Sequence, residues 1–370
     1  MANPFQYDRP LPPDQLVDRA DELGTLLGLA VDGQSARVAA PRRYGKTTLL
    51  GAVAEAAWQA HEMIPAVVDF SRVTSIDDVV VRMQQAYERG LDRGKLRSVW
   101  RSLRRRAGVG VGLGVPGVGG VSATVAPAGT GPALALLHEL LELPRQVHER
   151  TGQRCLVVFD EFQDLLVARD DLDGVLRSHL QHHHGVASYV FAGSQPTLME
   201  ALFGDRRRPL FEQARAVRLG PLPAAELAEW IDARLAAAGR EDLREVVDDL
   251  VGVSEGHPQR AMLLAHLLFE QAEDDPEALE RAVAAAVREA SDALEQTWRA
   301  LSVGQRRLLG AVGAGHHRVV GGSALAFTGL GKGSQAKVRD QLVADCHLER
   351  DAEGGMRFVD PLLRLWLLQR

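Results

Sequence analysis

Apolar and polar positions follow two rhythms along the first 220 residues. Short continuous apolar runs at Ser35–Ala40, Met63–Phe70, Cys155–Phe159, Ser188–Ala192 and Ala216–Leu219 read as buried strands. Between them, apolar residues spaced three and four apart predict helices over Asp14–Val31, Thr47–His61, Ser75–Arg89 and Leu172–His182, with another beginning at Pro196. Short strands alternating with helices predict a parallel sheet covered on both faces. Residues 221–292 are almost wholly helical in pattern. Residues 293–370 change to short helices, a glycine-rich turn and two short strands. The expected organisation is an α/β core over 1–220, a helical unit over 221–292 and a small module over 293–370. An insertion at 93–131 interrupts the core. A basic segment, KLRSVWRSLRRR, leads into glycines alternating with valines around Pro116-Gly117, which reads as a β-hairpin or glycine-rich flap.

Composition excludes several classes. With 46% hydrophobic and 25% charged residues over 370 positions, the chain is not disordered, and its length calls for two or three domains. A net charge of −6 excludes a basic protein that coats nucleic acid, but leaves room for one basic face. Aromatics at 5% argue against a base-stacking single-strand binder. Cys155 and Cys346 make no disulfide framework and no zinc spacing. His182, His183 and His184 are helical neighbours that point apart, so they do not grip one metal. The opening residues lack the basic and apolar regions of a signal peptide. The apolar stretch 107–136 is broken by glycines and by Pro116, Pro127 and Pro132, so it is no membrane helix. A cytoplasmic protein without a membrane partner is expected.

The strongest chemical signal lies where the first strand meets the following helix. Residues 40–48, APRRYGKTT, have the strand–loop–helix context of a phosphate loop. Pro41, Arg42, Arg43, Tyr44, Gly45, Lys46, Thr47 and Thr48 would wrap β- and γ-phosphates, with N–H groups at the helix N-terminus facing them. Lys46 would neutralise the phosphates and the Thr47 hydroxyl would ligate Mg²⁺. Gly45 permits a backbone shape closed to other residues. The first loop position is Ala40 where the usual pattern has Gly; alanine fits there with a negative φ. A second motif, CLVVFDEF at 155–162, ends a buried strand in two acids. Asp160 would hold Mg²⁺ through water, and Glu161 would orient the attacking water. A third strand ends in AGSQ at 192–195, where Ser194 or Gln195 would sense the γ-phosphate. Taken singly, the acid pair also reads as a helix cap, and the Gly-Ser pair as a plain turn.

Together PRRYGKTTLL, FDEFQDL (159–165) and AGSQ resemble the archaeal-type ATPase family of the STAND/AAA+ P-loop NTPases. LVDRADEL (16–23) fits the family's opening box, and DPLLRLWL (360–367) its closing signature. The resemblance spans residues 5–370. It implies an α/β fold: a P-loop NTPase αβα core with a parallel sheet, followed by a helical lid and a winged helix-turn-helix. It implies ATP and Mg²⁺ as cofactors. It places Val17, Asp18 and Arg19 in the adenine pocket, with Asp18 where glycine is commoner. GHPQR (256–260) looks like the family's lid motif, which makes Arg260 a candidate γ-phosphate sensor. Arg206, Arg207 and Arg208 lie near the family's arginine-finger position; a solvated charge run explains them equally well.

The C-terminal module is mildly basic. Residues 295–370 hold 11 Lys+Arg and 7 Asp+Glu, against 32 and 42 in the remainder. GKGSQAKVRDQLV (331–343) reads as the turn and second helix of a helix-turn-helix, capped by Ser334. Lys332, Gln335, Lys337 and Arg339 are candidates for contact with DNA. A protein partner or self-association is the competing use of such a wing. GxGxxG at Gly112, Gly114 and Gly117 lacks a following helix, which removes the dinucleotide reading. Two functions stand: an Mg²⁺-dependent ATPase whose nucleotide state controls the winged helix, and a nucleotide-gated DNA- or protein-binding switch with little turnover.

Overall fold

The computed structural model describes residues 3–93, 131–271, 275–319, 322–351 and 353–370. The glycine-rich flap and the basic segment 101–106 lie outside the described residues. The core is one parallel sheet of five strands: β1 (Ala36–Ala39), β2 (Ile64–Asp69), β3 (Cys155–Asp160), β4 (Ala187–Gly193) and β5 (Arg215–Arg218). Their order is β2-β3-β4-β1-β5, so β4 is inserted between β1 and β3. Ala39 pairs with Gly193, and Phe159 with Phe191. The segments following β1, β3 and β4 therefore leave the sheet at one edge, which is where ligands bind in open parallel sheets.

Why the strands read as continuous apolar runs is plain from their packing. Every residue of β3 and β4 is buried. Alternate side chains serve opposite faces. Val157, Phe159, Tyr189 and Phe191 join one core with the Ile76–Arg93 and Pro132–Leu141 helices. Leu156, Val158, Val190 and Ala192 join the other with the Ala20–Val31 and Lys46–His61 helices. The few aromatics concentrate beneath the loop after β3. Phe162 packs edge-on to Phe191 at 4.9 Å, and Phe159 stacks on Phe70 at 5.4 Å. This anchors the turn that carries Glu161.

A third core joins the lid to the wing. The lid comprises the helices Ala224–Ala237, Val247–Ser254, Pro258–Phe269 and the start of Ala278–Ala300. The wing has the helices Val303–Gly313, Gly322–Thr328 and Lys332–Ala344, then the antiparallel pair β6 (Leu348–Arg350) and β7 (Met356–Phe358). The last helix, Pro361–Leu368, returns against the long one, with Trp366 at 6.2 Å from Trp298. Ala278–Ala300 is one unbroken helix, so the boundary expected at 293 falls inside a rigid element that serves both units. Residues 3–11 lie across the lid. Phe5 is 1% exposed between Trp230 and Phe269, and its carbonyl bonds to His266 at 2.7 Å. No helix among the described residues is long and apolar enough to cross a membrane.

The segment that leaves β5 is fastened to the lid at Gly256, whose carbonyl accepts the Leu222 N–H at 2.8 Å. Its φ is +71°, and a Cβ there would lie 2.4 Å from the Leu222 oxygen. Gly256→Ala is expected to cost about 2 kcal/mol or more through backbone strain and overlap, read from the urea unfolding midpoint.

Candidate nucleotide-binding and catalytic site

The loop between β1 and the Lys46–His61 helix is shaped by its backbone. Gly45, at the helix cap, has φ +80° and Arg43 has φ +133°. Ala40 is fully buried, has no positive φ, and donates its N–H to the Gly193 carbonyl at 3.3 Å. Alanine is thus accommodated at the first loop position. Lys46 is 6% exposed. Its Nζ lies 3.0 Å from Glu161 Oε1 and 3.7 Å from Asp160 Oδ1. The Thr47 hydroxyl donates to Asp160 Oδ2 at 3.1 Å. Ser194 Oγ donates to Glu161 Oε2 at 2.5 Å. The three strand ends thereby bring Lys46, Thr47, Asp160, Glu161 and Ser194 into one bonded cluster.

One residue not singled out from sequence completes it. Gln163 Nε2 donates to Glu161 Oε2 at 2.6 Å and to Asp164 Oδ1 at 3.1 Å. The Arg72 N–H in turn donates to Asp164 Oδ2 at 3.0 Å. The available signal was a carboxamide two positions beyond Glu161, set between Phe162 and a further acid, Asp164. Burial raises the Asp160 carboxyl above its ordinary range, against the lowering charge of Lys46. Burial also pushes Glu161 up, but Lys46 and the hydrogen bonds from Ser194 and Gln163 outweigh it, so Glu161 lies below its ordinary value.

The cluster opens into a cleft of about 800 Å³, within the range of small-ligand sites. Arg42, Arg43, Lys46 and Thr47 line one end, while Pro10, Leu11, Met262, Leu263 and Ala290 line an apolar portion between the N-terminal segment and the lid. A phosphate chain suits the first and a planar base the second. Thr47 and Asp160 offer adjoining hard oxygens of the kind Mg²⁺ takes, so the donor set fits that ion.

Several expected site residues lie elsewhere. Val17 is buried in the lid core, and Arg19 bonds to Glu22 at 2.8 Å and to the Gly220 carbonyl at 2.6 Å. Asp18 has φ +21°, at the edge of the region that favours glycine, and does not line the cleft. Residues 6–11 wall the cleft instead, because the chain crosses the lid before entering the core. The Tyr44 side chain turns away from the phosphate side. It is 2% exposed, and its hydroxyl donates to Glu349 Oε1 of β6 at 2.9 Å. Gln195 is exposed at the start of the Pro196–Gly204 helix and lies outside the cleft lining. Arg260 lines the cleft, but its guanidinium is held by Asp360 at 2.9 and 2.5 Å.

In the wing, Gln335 is fully buried between the Thr328 hydroxyl and the Val319 carbonyl, which removes it from any DNA-contacting surface. Lys332 and Lys337 face solvent, and Arg339 is paired with Asp340. Gly331 occupies the cap position assigned to Ser334. Among the three arginines after the Pro196–Gly204 helix, Arg207 pairs with Asp205 and Arg208 lies 3.5 Å from buried Asp173.

Sheet order, phosphate loop, lid and wing together define a P-loop NTPase fold with a C-terminal winged helix. No protein-family model matches the chain, and no curated protein matches it. Solved structures do. The Walker-type ATPase paby2304 of Pyrococcus abyssi superposes with a TM-score of 0.68 at 15% identity, over 98% of this chain and 99% of that one. The ORC2 protein of Aeropyrum pernix, solved in ADPNP–ADP complexes, gives 0.61 at 15% identity, over 98% and 96%. At that identity the likeness is one of fold.

His257 caps the Pro258–Phe269 helix through Nδ1 and lies 5.0 Å from the Tyr44 ring. Burial pushes its pKa down to about 4. The unfolded chain takes up this proton near pH ~6.5, so stability present above that value is lost as pH falls towards the folded pKa. The unfolding midpoint is expected to drop across that interval, and less steeply in His257→Gln.

Proposed function

We propose that this chain binds Mg²⁺-ATP in the cleft, hydrolyses it, and uses its nucleotide state to set the docking of its winged helix. The observation that carries this reading is the contact set between wing and site. β6 holds the phosphate-loop Tyr44 through Glu349, and Asp360 holds the lid Arg260. Cys346 Sγ lies 3.9 Å from the Ser194 carbonyl. One small module therefore touches the phosphate loop, the strand beside it and the lid.

The chemistry follows from exchange of partners. Lys46 is engaged by Glu161, and Arg260 by Asp360. A triphosphate competes for both cations, since arginine pairs with phosphate as well as with carboxylate. Taking Lys46 frees Glu161 Oε1 to polarise water. Taking Arg260 leaves Asp360 without its partner at the start of the last helix and weakens the seat of the wing. Bound Mg²⁺, held by Thr47 and by Asp160, would neutralise charge on the phosphates. Ser194, just after β4, is the residue that reports on the reacting group; Gln195 has no part. Residues 6–11 and the lid enclose the base.

A second reading keeps the exchange and drops the turnover: a nucleotide-gated switch with little hydrolysis. The tight pairing of Glu161 favours it, because the base is occupied before nucleotide arrives. In either case the wing offers Lys332 and Lys337 as solvent-facing cations for DNA, or its surface for a protein partner.

Phosphate release by the purified chain distinguishes the two. Lys46→Ala is expected to weaken ATP binding by at least about tenfold through loss of a charge-assisted phosphate contact. Glu161→Gln is expected to bind ATP normally and turn it over roughly 100-fold more slowly. ATP binding with no phosphate release by the unaltered chain selects the switch. Asp360→Asn is expected to loosen the wing, read as faster amide exchange in β6 and β7. Unchanged exchange would remove the Arg260–Asp360 pair from the docking mechanism.

A further inference from the structure

We propose that Gln163 is a positioning residue for the hydrolytic step: it clamps one oxygen of Glu161 so that the other is aimed at the attacking water. The inference rests on Glu161 being the residue that polarises water. Gln163 is 3% exposed in the short turn after β3. Its amide nitrogen has two hydrogens, and two carboxylates take them, Glu161 Oε2 at 2.6 Å and Asp164 Oδ1 at 3.1 Å. Only the NH₂ end of the amide can face two carboxylates, so its orientation is fixed.

Two further observations mark the residue as placed rather than merely buried. Gln163 Oε1 is buried with no hydrogen-bond partner among the described residues. An orphaned buried carbonyl is costly, and an apolar side chain of the same size would avoid it. The offset here is a pair of charge-assisted bonds. Gly193 makes the space: a Cβ there would lie 2.6 Å from Gln163 Oε1 and 2.6 Å from Met199. Its φ is not positive, so room for neighbours, rather than backbone shape, accounts for glycine at that position.

The clamp divides the work between the two oxygens of Glu161. Oε2 receives Ser194 Oγ at 2.5 Å and Gln163 Nε2. Ser194 supplies a rotatable hydroxyl, whereas the Gln163 amide is tied through Asp164 to the Arg72 backbone at 3.0 Å. Among the described residues Oε1 meets only Lys46, at 3.0 Å. When phosphate draws the ammonium away, Oε1 is released while Oε2 stays fixed. Arriving nucleotide thereby uncovers one lone-pair direction of a carboxylate that cannot swing.

Gln163→Met keeps the volume and removes the donor. Its kcat for ATP is expected to fall roughly 10- to 100-fold, the scale of a misplaced catalytic group, with the Kd for ATP unchanged within about twofold. In a Glu161→Gln background the same change is expected to cause no further loss, because the two act as one unit. Gln163→Glu, which sets a third carboxylate against Glu161 and Asp164, is expected to be at least as slow. Wild-type kcat in either single variant overturns the proposal, as does an equal fold-loss in both backgrounds, the mark of a structural role. A slow Glu161→Gln beside a fast Gln163→Met rejects Gln163 alone. A fast Glu161→Gln rejects the role of Glu161 and this proposal with it.

Discussion

One ammonium shared between two carboxylates organises this molecule. Lys46 stands at the start of a helix, and Asp160 and Glu161 end a strand two places away in the sheet. All three are largely removed from water, where an unpaired charge is costly. Each is tolerated because the others are present. The parallel sheet makes this meeting possible, since its strands deliver their C-terminal ends to one edge. β4, inserted between β1 and β3, adds Ser194 to the same point. The aromatic layer of Phe159, Phe162 and Phe191 holds the turn that bears Glu161, whose φ of +50° is not one a carboxylic residue adopts freely.

A second ionic contact extends this cluster to the C-terminal module. Asp360 caps the last helix by accepting the Leu362 N–H at 3.0 Å, and also grips Arg260. The same carboxylate therefore fixes a helix start and a lid side chain. Tyr44 does the equivalent on the loop side: its ring belongs to the core and its hydroxyl to the wing. Lid and wing also share one apolar core along Ala278–Ala300.

Much of this was legible in the chain, for identifiable reasons. Apolar runs of five to eight residues gave β1 to β4 because both sheet faces are covered there; β5 was expected to be buried too, but it is an edge strand with three of its four residues exposed. The acid pair and GKT were readable because phosphate chemistry demands those groups after a strand. Strand order was not readable, since pairing is decided by contacts distant in sequence. The same limit hid residues 6–11, whose place in the cleft depends on the lid. It also hid the direction of Tyr44, because loop position says nothing of which side chain faces a later domain. Gln335 misled for a different reason. A polar residue on a helix of low amphipathicity suggests solvent, yet Thr328 and the Val319 carbonyl satisfy it inside. Gln163 escaped notice because a carboxamide bears no charge, even though it lies within FDEFQDL.

The segment at residues 3–11 carries a consequence for how the chain reaches this state. Asn3 donates to the His266 carbonyl, and Tyr7 to Glu289, across separations of 263 and 282 residues. At ordinary synthesis rates that distance corresponds to on the order of ten seconds or more between emergence of the segment and of its partners. Until then Phe5 has no pocket, and the cleft has one wall. Contacts of such span are slow to form. The α/β core has its own complement of strands well before that moment, so the site is completed by a late closure in which early-made chain is captured by late-made helices.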